Sequence, residues 1–173
     1  KVLEEKYHVA VCHDLSVYDM QDGKEDRNKA YSQAAVAVQN LLDEHPSIEV
    51  TIDLHRDGVP DNVHLETEIN GKKTAKIMFL NGLCRNPNGD VNDFAQNPNL
   101  SDNLAFSLQL QLKAKAYFPE LVRHIYLRAY RYNLHFKPRS LLVEVGAQNN
   151  TVAEAKNAME PLADILYAVL SGK

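Results

Sequence analysis

Two short stretches carry the residue types that do chemistry. His55-Arg56-Asp57-Gly58 closes an alternating run, and Glu144 sits inside an apolar one, Leu141-Leu142-Val143-Glu144-Val145-Gly146. A neutral imidazole ligates a metal through one ring nitrogen while a carboxylate takes the proton on the other. Asp53 shares the strand face of His55, and Asp57 follows it closely. The plainer reading of His55 is a histidine hydrogen-bonded at a strand end. A carboxylate in an apolar strand is costly unless it is paired or put to use. Beside a metal-bound water Glu144 has the character of a general base, because burial raises a carboxyl pKa toward neutrality. The plainer reading is a buried ion pair with Arg128 or Arg131. His13-Asp14 ends a third run and is either a ligand pair or a structural hydrogen bond. Arg128, Arg131, Tyr132 and Asn133 are able to hold a carboxylate or a carbonyl, or are strand arginines whose stems pack while their heads reach water. His8, His45, His64, His124 and His135 have no sequence partner that raises them above surface histidines.

The elements that must position these groups alternate between strand and helix. Lys1–Tyr7 reads as the tail of a helix and Val9–Cys12 as a strand, followed by a polar loop. Asp26–Leu42 has helical spacing in Ala34, Val38, Leu41 and Leu42, and Pro46 ends it. Ile48–Leu54 is a strand with His55 at its C-terminal end. Asn70-Gly71 is a hairpin turn signal between Val63–Asn70 and an apolar second arm, Ala75–Leu80, expected at or near a sheet edge. Asn81–Leu100 is a long Asn/Gly/Pro-rich loop, of the length that is usually functional or mobile. Ser101 is placed to cap a helix closed by Pro119. Ile125–Tyr132 and Leu141–Val145 are further strands. Thr151 and Glu154 form a capping box opening the last helix, which Pro161 should kink. Such alternation gives an α/β fold with a mixed, mostly parallel sheet flanked by helices, and open sheets of this class bind ligands off their strand ends.

Bulk properties exclude several alternatives. The 173 residues suit one domain, residues 1–173. A net charge of −4 with no basic cluster argues against nucleic acid as a main partner. No apolar run approaches the length of a membrane span. Cys12 and Cys84 form no CxxC pair, so a cysteine metal site is not indicated.

An ordered set of segments carries a resemblance across nearly the whole chain. These are His13-Asp14, Ile52-Asp53-Leu54-His55-Arg56-Asp57-Gly58, Asn103 with Ala105-Phe106, and Tyr117-Phe118-Pro119-Glu120-Leu121. Arg128-Ala129-Tyr130-Arg131-Tyr132-Asn133, Pro138–Ala147 and Asn149-Asn150-Thr151 follow in register. Together they resemble the stage II sporulation protein P family, whose catalytic domain is similar to zinc-dependent N-acetylmuramoyl-L-alanine amidases and related exopeptidases. The resemblance implies hydrolysis of the amide between muramic acid and its stem peptide, with a second endopeptidase activity on peptide cross-links. It implies zinc as cofactor, His55 as a zinc ligand and Glu144 as the carboxylate that activates water. Arg56, Arg131 and Asn133 become candidates for holding the stem peptide, and His13, Asp14 and Asp57 candidates for further ligation or its support.

The same resemblance implies peptidoglycan as substrate and a companion glycan-cleaving sporulation protein as partner. It implies an extracytoplasmic location, with a membrane anchor outside these residues. The family's upstream histidine motif has no match here, so the chain reads as the C-terminal portion of the catalytic domain lacking its first strand. Weak zinc binding and a sheet edge prone to homodimerisation are the expectations that follow. The rival expectations are a metal-free peptidoglycan-binding or scaffold module, and another zinc exopeptidase or N-acyl hydrolase on a similar fold.

Overall fold

In the computed structural model, residues 1–21 and 23–172 are described. The elements, in order, are α1 (Val2–Tyr7), β1 (Met20–Gln21), β2 (Lys24–Glu25), α2 (Arg27–Glu44) and β3 (Val50–Asp57). Next come β4 (Glu66–Ile69), β5 (Lys72–Ala75), β6 (Ile77–Gly82), α3 (Leu100–Tyr117) and β7 (Tyr126–Arg128). The chain ends with β8 (Arg139–Ala147), α4 (Val152–Asn157) and α5 (Met159–Leu170). The main sheet has the order β3-β8-β6-β7. β3 runs parallel to β8 and β7 parallel to β6, while β6 and β8 are antiparallel. The sheet is therefore mixed and mostly parallel, and the class is α/β.

Period-two alternation splits β8 into two chemistries. Leu141, Val143 and Val145 join Ile77 and Phe79 in an apolar layer covered by α3 and α5 through Phe106, Leu110, Ala114, Leu162, Ile165 and Leu166. Leu142 and Glu144 point to the opposite face. Every position from Ser140 to Ala147 is buried, which fits a strand with neighbours on both edges. β3 is an edge strand, and its Ile52 and Leu54 stand 38% and 52% exposed.

Several expected elements are placed differently. Val9–Cys12 is not a strand. No strand pairs with it among the described residues, and Val11, Leu15 and Val17 are exposed. Apolar β-formers hold a strand only when a neighbour completes the ladder, which no sequence window displays. The hairpin's second arm is Lys72–Ala75, which pairs with Glu66–Ile69 in a separate two-stranded sheet. Ile77–Gly82 is instead a fully buried strand of the main sheet. The short step at Lys76 separates two strands that read as one apolar run. The α3 N-cap is Asn99, not Ser101, and no side chain caps it. The Thr151–Glu154 capping box is present in full. The break near Pro161 falls at Ala158, so that Pro161 occupies the first turn of α5, where its missing N–H costs nothing. No helix among the described residues is long and apolar enough to cross a membrane.

Candidate functional site

At the C-terminal end of β3, backbone geometry gathers the polar groups. His55 and Glu144 are partners across the parallel β3–β8 ladder, so their side chains stand on the same face, about 5 Å apart at the backbone. Pairing then slips by one residue between His55 and Asp57. The irregularity lies opposite Gly146, whose φ of +62° is the left-handed conformation that a glycine adopts without strain. A Cβ at Gly146 would sit 2.5 Å from Asn150 Oδ1. That oxygen accepts from Ala147 N at 2.8 Å, so the strand end and the following loop are locked together.

His55, Asp57, Gly58, Tyr31, Glu144, Leu142, Met78, Leu80, Tyr126, Arg128 and Tyr132 line one cleft of about 330 Å³. His55 Nε2 lies 2.9 Å from Asp53 Oδ1. That hydrogen bond raises the imidazole pKa above its ordinary value, against the opposing effect of burial. Glu144 is 9% exposed, and its Oε2 is buried with no hydrogen-bond partner. Burial pushes its carboxyl pKa up, while the nearby His55 pulls it back. Neither Arg128 nor Arg131 pairs with Glu144 among the described residues. An ion pair is therefore not what places a carboxylate in this strand. Burial also pushes the Tyr31 hydroxyl up, keeping it neutral. The Tyr31 ring stacks over His55 at 6.3 Å between centroids and meets Tyr132 edge-on at 5.5 Å.

The loop before β8 is held tightly against this wall. Tyr132 and Asn133 are consecutive non-glycine residues with φ of 53° and 55°, a sparsely populated conformation that only surrounding contacts maintain. Those contacts are identifiable. Asn133 Nδ2 donates to Tyr31 O at 2.7 Å, and Leu134 is buried beneath. A Cβ at Gly82 would lie 2.1 Å from Tyr130 O, so only glycine allows the strand to approach this loop.

The residues singled out from sequence are not all brought together. Asp57 reaches the cleft wall but accepts from Arg123 Nη1 at 2.6 Å. Arg56 turns away, donating through Nε and Nη2 to Ala147 O at 3.1 and 2.6 Å and also to Asn150 O. Asn133 is likewise engaged with backbone, and Arg131 does not line the cleft. The Arg56 side chain is thus spent on holding the loop after β8, and Arg131 and Asn133 stand outside the cleft lining. His13 and Asp14 lie in the exposed segment after α1, outside the cleft wall, where Asp14 accepts from Ser16 N and the Tyr18 hydroxyl. Tyr31 and Tyr126 were not singled out from sequence. No motif marks them, and only the folding of α2 and β7 onto one sheet face brings them in.

The donor set bears on metal binding. Glu144 Oε2, an orphaned acceptor beside an imidazole already oriented by a carboxylate, fits the neighbourhood of a cation or its bound water. Among the described residues the gathered group of three ligating side chains is elsewhere, at His64, Glu66 and Glu154, whose ligand atoms lie within 4.8 Å. His64 thus does have partners, contrary to its reading from sequence, at 3.4 Å from Glu66 and 3.1 Å from Glu154. Glu154 Oε2 already accepts from Asn150 Nδ2 and Thr151 N, which hold its carboxyl down at about 2. That group is explained by capping and ion pairing of the hairpin to α4.

The family model for stage II sporulation protein P matches residues 1–167. No match was found among curated proteins. Solved structures similar to the chain include the N-acetylmuramyl-L-alanine amidase Ami1 from Mycobacterium smegmatis, at 15% identity and a TM-score of 0.45, covering 89% of this chain and 64% of that one. The apo form of Ami1 from Mycobacterium abscessus is similar at 16% identity and a TM-score of 0.46, covering 90% and 65%. The chain thus spans a little under two thirds of those structures.

Proposed function

The chain belongs to the stage II sporulation protein P family, and we propose that it is the part of a peptidoglycan hydrolase that carries the catalytic carboxylate, cleaving the amide between muramic acid and the stem peptide during sporulation. One observation carries this reading: a buried, unpartnered carboxylate oxygen on Glu144 faces a cleft beside an oriented imidazole on His55. An uncompensated buried carboxylate destabilises a fold, and use in chemistry accounts for its presence.

In the proposed reaction Glu144 takes a proton from water as that water attacks the scissile carbonyl. It then delivers the proton to the departing nitrogen, so that the C–N bond breaks to give a carboxylate and an amine. A carboxyl raised by burial suits both halves of this exchange near neutral pH. His55 would hold zinc through Nδ1, since Nε2 is engaged with Asp53. Zinc bound there supplies Lewis acidity toward the carbonyl and lowers the pKa of water. Tyr31, kept neutral by burial, covers one side of the imidazole and limits water there. Endopeptidase action on cross-links would use the same groups on a second amide. The family supports an extracytoplasmic location, with peptidoglycan as the substrate.

The test is chemical analysis of the ends released when purified cell wall is digested with zinc present. New amino termini on stem peptides are the expected product. New reducing sugar ends, or binding without any new ends, would overturn the amidase reading, the latter in favour of a scaffold module.

A further inference from the structure

The cleft is chemically polarised along the sheet. Its β3–β8 end carries His55, Asp57 and Glu144, and its β7 end carries Tyr126 and Arg128, with Met78, Leu80 and Leu142 as an apolar floor between them. Arg128 is exposed, yet it is not loose. Its Nη1 donates to Tyr126 Oη at 3.2 Å, and its guanidinium lies 5.6 Å from the centre of the Tyr126 ring. Arg123 and Arg139 have carboxylate partners, at 2.6 and 3.0 Å. Arg128 has none, so a pre-oriented guanidinium on the cleft wall meets no acid among the described residues.

We infer that Arg128 is a specificity-determining residue that receives a free carboxylate of the stem peptide, with the peptide extended across the strands from β3 toward β7. The inference rests on the amidase reading and adds the direction and reach of the substrate. From His55 to Arg128 is three strand spacings across the sheet, about 14 Å, and four residues along it, about 13 Å, a backbone diagonal of about 19 Å. Because the Arg128 side chain turns back toward Tyr126, the span left between the reactive groups is that of about four extended residues. The carboxylate it selects therefore lies about four residues from the scissile bond, not on the residue next to it. A planar guanidinium held against a tyrosine by a hydrogen bond to its hydroxyl keeps its remaining donors aligned for such a group, which a flexible lysine does not.

The experiment is a calorimetric or NMR titration of the whole chain with synthetic N-acetylmuramoyl peptides of two and four residues, each ending in a free acid or in a carboxamide. The wild-type protein should prefer the four-residue acid over its amide by about fivefold, the size of an exposed but oriented charge pair. The two-residue pair should show no preference. Arg128→Gln should remove the discrimination, bringing acid and amide to equal affinity, and Arg128→Lys should restore only part of it. Far-UV circular dichroism checks that both variants fold, as expected for an exposed position. Equal wild-type binding of acid and amide, or a preference that survives Arg128→Gln, overturns the inference and leaves the amidase reading standing. Failure of every peptide to bind overturns both.

Discussion

The two faces of β8 differ in what burial does to them. On one face Leu141, Val143 and Val145 are fully enclosed by α3 and α5, and each has only apolar neighbours to satisfy. On the other, Glu144 is nearly as buried but keeps a carboxylate oxygen without a partner, and the space above it is a cleft. A single strand thus contributes maximal stability with one side and tolerates an unsatisfied charge on the other. The large apolar face is what allows the polar face to remain frustrated, a division expected where a reactive group is held on a rigid element.

Three changes sharpen that contrast, in descending order of effect. Phe79→Ala, on the enclosed face, should cost about 3–5 kcal/mol, read as a lower urea midpoint with little change in slope. A loss under about 1 kcal/mol would mean that the layer is not close-packed. Asn150→Ala should cost about 1–3 kcal/mol. Its amide oxygen supports Ala147 N, and its nitrogen supports Leu65 O and Glu154 Oε2. The loss should be accompanied by protection changes in hydrogen exchange at the end of β8. If exchange changes only in α4, the coupling of that loop to the site is refuted.

Glu144→Gln should have the smallest effect on stability, and of opposite sign. The folded carboxyl binds its proton more tightly than the unfolded one, so wild-type stability falls as pH rises from about 4.5, the ordinary value, through the raised folded pKa. The variant carries no ionising group there. It should melt above the wild type at neutral pH, with the gap closing as pH falls below about 4.5. A variant less stable than wild type at pH 7 would show that Glu144 is a satisfied structural group.

Much of this division is visible in the residues themselves. An apolar run interrupted by Glu144 signals a buried strand with an unusual carboxylate, and Asp53-Leu54-His55 signals two polar groups on one face. The capping box at Thr151 is local chemistry and is read locally. What is not legible depends on partners far away in the chain. Val9–Cys12 has strand composition but no neighbour to pair with among the described residues. Tyr31 enters the site only because α2 lies against His55 and Tyr132. Arg56 has the type of a substrate ligand, but the carbonyls of Ala147 and Asn150 claim it, and those carbonyls lie about ninety positions away.

The most direct test of the central claim is single-turnover release of stem peptide from a muramoyl peptide by the zinc-supplemented wild-type protein and Glu144→Gln, with retained fold and peptide binding verified for both. Loss of the base should slow release by about 10²–10⁴-fold at unchanged peptide affinity. Release at the wild-type rate would contradict the account, because the unpartnered carboxylate on the cleft face of β8 would then have no part in the chemistry.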